Sequence, residues 1–62
     1  MWAYASHQAA EQNSISGRWY SHVTINDGST DQIVVMKFQA EPTSAQIESA
    51  ADAYCDAVNG GA

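Results

Sequence analysis

The chain has 62 residues, with seven carboxylates against only Arg18 and Lys37 and a net charge of −5. So few cations give no electrostatic drive toward nucleic-acid phosphates or an anionic membrane surface, and no apolar run approaches the ~20 residues that span a bilayer. This length holds one domain at most, and so short a chain buries only about 60% of its unfolded surface.

Domains of this size need a staple. Cys55 is the single cysteine, so no disulfide forms within one chain. His7, His22 and Cys55 follow no zinc-ligand spacing. Elimination leaves self-association or docking on a larger assembly. The opening Met1-Trp2-Ala3-Tyr4-Ala5-Ser6-His7 lacks the basic stretch and continuous apolar core of a signal peptide, so the expectation is a soluble, intracellularly made protein.

Residues 1–16 carry a loose pattern. Alanines at 3, 5, 9 and 10, with Gln8, Glu11 and Gln12, favour helix by intrinsic propensity, and Trp2, Ala5 and Ala9 share a helical face. Nothing caps the start, and Asn13-Ser14-Ile15-Ser16-Gly17 reads as a break. The segment is read as an N-terminal arm or short helix, set apart from a ββα domain at 17–62.

Arg18 to Ile25 alternates as a strand, with Trp19, Ser21, Val23 and Ile25 on one face and Tyr20, His22 and Thr24 on the other. Asn26-Asp27-Gly28-Ser29-Thr30 is a turn signal, since Gly28 accepts positive φ and Asn26 or Asp27 can bond the turn's own backbone. Gln32 to Ala40 is the second strand, rich in β-branched and aromatic residues. Val34, Met36, Phe38 and Ala40 lie on one face; Ile33, Val35 and Lys37 occupy the other. Neither face is plainly polar, so the strand calls for cover on both sides.

Thr43 with Gln46 has the spacing of a capping box, and Pro42 with Ile47 that of a hydrophobic staple. Ile47, Ala50, Ala51, Tyr54 and Val58 then form a core-facing stripe, ended by Asn59-Gly60-Gly61, where Gly60 or Gly61 supplies a left-handed cap. The fold class is α+β: a β-hairpin packed on one C-terminal helix, preceded by the arm or short helix. A two-stranded ribbon roofed on one face leaves two unpaired edges, a template for another strand.

Trp19 is assigned to the hairpin–helix core. Trp2 and Tyr4 lie in a segment that the ββα unit does not need, and Tyr20, Ile33 and Val35 lie on the unroofed face. These five are the candidate partner contacts, because large amphipathic aromatics dominate interface hot spots. Glu48, Asp52 and Asp56 fall at i, i+4 and i+8. They read either as a solvated face or as a docking stripe for a basic surface. No Lys or Arg answers them within a turn, and Asp52 and Asp56 sit toward the end of the helix that disfavours negative charge.

Other constellations carry less. Asn26 to Asp31 looks like half a calcium loop but lacks the later bidentate Glu and sits between strands. His22 with Ser21 and Asp27 or Asp31 has no nucleophile elbow. Cys55 reads as a semi-buried small hydrophobe whose acidic neighbours raise its pKa, which disfavours a reactive thiolate. His7 has no evident partner. No catalytic residue, metal set or cofactor is nominated.

The run Val23-Thr24-Ile25-Asn26-Asp27-Gly28 through Val35-Met36-Lys37-Phe38, then Pro42-Thr43-Ser44-Ala45-Gln46-Ile47 and an alanine-rich helix, resembles short open reading frames common in tailed-bacteriophage genomes. Those carry a strand, an Asp-Gly turn, a Lys-Phe strand and a helix begun by Pro-Thr. The resemblance implies a small multicopy virion or virion-assembly component, located in the virion or host cytoplasm, and it transfers no functional residue. The expectation is therefore a non-enzymatic structural or interaction protein that docks on or assembles with other chains. The alternative is an acidic adaptor or inhibitor bound to a basic surface of a host protein, which strong salt dependence would reveal.

Overall fold

The structure, a computed structural model, describes residues 1–60. Its centre is β3 (Trp19–Asn26), in which Ser21, Val23 and Ile25 are buried while Tyr20, His22 and Thr24 are partly exposed. That alternation is the period of a strand with one roofed face. β3 pairs antiparallel with β4 (Asp31–Phe38) from Trp19–Phe38 to Asn26–Asp31. The expected hairpin is thus present, with its strands displaced by only a residue or two.

The turn between them is built by its own side chains. Asp27 Oδ1 accepts from the backbone N–H groups of Ser29 at 3.0 Å and Thr30 at 2.8 Å. Gly28 takes φ 107°, a left-handed value that its missing Cβ permits. Asp27 N–H donates to the Thr30 carbonyl at 3.2 Å and closes the loop.

The N-terminal segment corrects the sequence-based expectation. It is neither a free arm nor a helix: β1 (Ala3–His7) and β2 (Glu11–Gln12) both pair antiparallel with β3, on the margin opposite β4. Tyr4 lies opposite Ile25, His7 opposite Val23, Glu11 opposite Tyr20 and Gln12 opposite Trp19. Alanine's helix preference is worth only about 0.7 kcal/mol per residue against ordinary residues. A buried central strand leaves a whole row of backbone donors and acceptors to satisfy, and that demand outweighs it. The row is irregular. A register shift falls between Tyr4 and Ser6, and at the break before β2 Gln8 N–H donates to the His22 carbonyl at 3.0 Å. The buried Ser21 hydroxyl donates to the Gln8 carbonyl at 2.8 Å, so the one buried polar side chain among the described residues is satisfied.

The helix α1 (Ser44–Val58) begins as expected. Gln46 N–H donates to Thr43 Oγ1 at 3.1 Å and Thr43 N–H to Gln46 Oε1 at 2.9 Å, the reciprocal capping box. Gly60, at φ 106°, donates to the Ala57 carbonyl and ends the helix; Gly61 lies outside the described residues. Ile47, Ala51 and Cys55 join Val23 and Ile25 in the buried cluster, with Trp2, Tyr4, Val34, Met36, Phe38 and Tyr54 around it. The helix lies chiefly over β1 and β3 and touches β4 less.

Three apolar side chains depart from expectation. Val58, expected in the buried stripe, is the last residue of the helix and is 45% exposed. The two tryptophans exchange roles: Trp2 packs against the core cluster, whereas Trp19 lines a cleft at the end of the sheet away from the Asn26–Asp31 turn. The cause is the helix's offset toward β1, which strand parity cannot reveal. Among the described residues no helix is long and apolar enough to cross a membrane.

Candidate interaction face

Strand parity and register assemble the unroofed face. Across β3 and β4 the pairs are Tyr20–Lys37, His22–Val35 and Thr24–Ile33, all on the side away from Ser21, Val23 and Ile25. Ile33 is 65% and Val35 45% exposed. Tyr20 and His22 meet edge to face at 5.7 Å between ring centroids, a favoured aromatic geometry. The structure therefore brings together Tyr20, Ile33 and Val35, and adds His22, Thr24 and Lys37 to them.

The remaining candidates lie elsewhere. Trp2 and Tyr4 are on the helix side of the sheet and pack against this chain's own core. Asn59 holds the Trp2 backbone from both sides: Trp2 N–H donates to Asn59 Oδ1 at 2.7 Å, and Asn59 Nδ2 donates to the Trp2 carbonyl at 2.8 Å. Glu48, Asp52 and Asp56 are exposed along the helix. Partial burial raises the Tyr4 phenol above its ordinary pKa, and the nearby Glu48 and Asp52 carboxylates add to the rise. Tyr4 and the first half of the acidic stripe thus form one neighbourhood, on the opposite side of the sheet from Tyr20, Ile33 and Val35.

His7 has a partner that the sequence did not disclose. The Tyr4 hydroxyl and His7 Nδ1 are 2.7 Å apart, an approach made possible by the register shift between Tyr4 and Ser6. Cys55 is buried, and burial raises its thiol pKa, followed by the charges of Asp52 and Asp56. Such a thiol is a poor nucleophile at neutral pH.

Sequence reasoning missed the open cleft of about 430 Å³ lined by Ser16, Arg18, Trp19, Tyr20 and Lys37. It collects both basic side chains of an otherwise acidic protein. The signal was available in the register, since Lys37 faces Tyr20 across the hairpin, but the position of Arg18 depends on the β2–β3 connection. There Asn13 Oδ1 accepts from the N–H groups of Ile15 and Ser16, and Ile15 is left 95% exposed at the tip.

Among the described residues no group of three or more His, Cys, Asp or Glu side chains is placed to hold a metal ion. The architecture is a small antiparallel sheet with a helix on one face and a mixed apolar and aromatic surface on the other. Comparison with family models, with curated proteins and with solved structures finds no match to the chain.

Proposed function

We propose that the protein is a non-enzymatic interaction module whose unroofed sheet face docks on another polypeptide. The observation that carries this reading is the pairing of two well-exposed β-branched side chains, Ile33 and Val35, with Tyr20 and His22 on one surface. Apolar side chains clustered on a sheet face remain in water only at a cost of about 25 cal/mol per Å², and an aromatic beside them fits an interface core. The setting is the one that the phage-like sequence pattern implies, a multicopy particle or its assembly.

The test uses tagged protein expressed in its native cell and compares the wild type with Ile33→Asp. Face docking requires the captured partner to be lost while the circular dichroism spectrum stays the same. Retention of the partner by Ile33→Asp sinks the reading. The alternative, an acidic adaptor that docks Glu48, Asp52 and Asp56, draws support from a helix with no basic residue in its last turn. It predicts capture that fails in high salt, whereas apolar docking withstands salt.

A further inference from the structure

We infer that β4 is the edge through which two copies of this chain join, pairing antiparallel about a two-fold axis at Val34 and fusing their sheets into one. The inference deepens the proposed function and rests on it, because it names the occupant of one margin of the same interaction sheet. Among the described residues β4 pairs only with β3, so its other margin is free along eight residues. The helix does not close it, being displaced toward β1.

The backbone determines which residues offer bonds there. The His22 carbonyl accepts from Gln8 on the β1 side, so His22 is turned away from β4. In an antiparallel ladder hydrogen-bonded and non-bonded pairs alternate. His22–Val35 is then a non-bonded pair, and Asp31, Ile33, Val35 and Lys37 turn their amide and carbonyl groups to the open margin. Symmetric pairing must match these odd-numbered residues with one another.

Among the registers that do so, one satisfies the side chains. With Val34 opposite the partner's Val34, Asp31 meets the partner's Lys37, Ile33 meets the partner's Val35, and Gln32 meets the partner's Met36. A slip of one repeat in either direction places Asp31 opposite the partner's Val35 or Lys37 opposite the partner's Ile33, and neither charge is answered. A lysine on an edge strand ordinarily repels added strands. Here Asp31 answers it once per copy, so the same pair that rejects foreign edges admits this one. The joined outer face carries Ile33 and Val35 from both copies as one strip closed at each end by an ion pair.

Sedimentation velocity on the full chain over a range of concentrations is the primary measurement, and a monomer–dimer equilibrium is expected. Val35→Pro deletes an outward N–H without removing a bond to β3, and it should leave only monomer with unchanged circular dichroism. Asp31→Lys sets like charges opposite each other twice per dimer and should weaken association about tenfold. Adding Lys37→Asp should restore it. Val34→Cys should link two chains under mild oxidation, since non-bonded pairs bring Cα atoms to about 4.5 Å, and Ile33→Cys should not.

A monomer at every concentration, a dimer indifferent to Val35→Pro, or a double charge swap that fails to restore association each overturns the inference. Those failures differ from failure of the docking reading. A monomer that still loses its captured partner on Ile33→Asp refutes only the dimer, and a dimer whose capture ignores Ile33→Asp refutes only face docking.

Discussion

The two margins of this sheet are built in opposite ways. On one side β1 and β2 are short, interrupted at Gln8 and shifted in register between Tyr4 and Ser6. The helix roofs β1, and Asn59 ties down Trp2 just before it. On the other side β4 runs eight residues with unbroken register, and the helix leaves it largely bare. Irregularity and cover are the means by which edge strands avoid partners. One margin employs both, the other only the charges at its two ends. A chain this small closes one side of its sheet with its own backbone and leaves the second side as a template.

The largest break in that comparison comes from the strand that both margins share. Ile25 is fully buried, with Tyr4 on one side and Gln32 on the other. Ile25→Ala should cost about 3 kcal/mol. A single small core rarely supplies more than about 3–5 kcal/mol, so thermal denaturation should find the variant largely unfolded at room temperature. Val34→Ala, on the partly exposed inner face of β4, should cost only about 1 kcal/mol. Equal losses at the two positions would mean that β4 is as enclosed as the centre.

Asn59→Ala sharpens the contrast from the β1 side. It removes both bonds to the Trp2 backbone, each worth about 0.5–1 kcal/mol at an exposed site. Hydrogen exchange should quicken at Tyr4 to His7 and stay unchanged along β4. Uniform acceleration would show that the N-terminal strand and the hairpin open as one unit.

These contrasts follow how far the fold can be read from residues. β3, β4 and the turn between them are legible because alternation, β-branching and Asp-Gly chemistry agree, and the helix start is legible because Thr43 and Gln46 stand at capping distance. β1 is illegible because Ala-Tyr-Ala-Ser-His has no strand preference of its own; it is extended because β3 has a margin to fill. Ser21 is a polar residue in an apolar face, and its partner, the Gln8 carbonyl at the break before β2, is not legible in the sequence. Parity put Tyr20, Ile33 and Val35 on one surface correctly. It also put Trp19 on the helix side, but Trp19 lines the cleft with Tyr20 and Lys37 and stays out of the core cluster; parity assigns a face and not a depth. Depth came from where the helix lies, and that offset gave the core to Trp2.

The smallest predicted effect lies in the turn from which β4 departs, and it tests whether charge stabilises that turn. Asp27 lies below the ordinary carboxylate pKa because the Ser29 and Thr30 N–H groups bond its ionised oxygen, helped by the Ser29 hydroxyl and the N-terminal ammonium. A group whose folded pKa is depressed stabilises fully above its unfolded pKa, and loses that contribution as pH falls through the folded value. Asn in its place still offers a side-chain oxygen to the two N–H groups but no charge. Asp27→Asn should therefore melt slightly lower than the wild type at neutral pH, and the gap should close once the pH drops below the ordinary carboxylate range. A gap that stays constant with pH would assign the turn's stability to geometry alone.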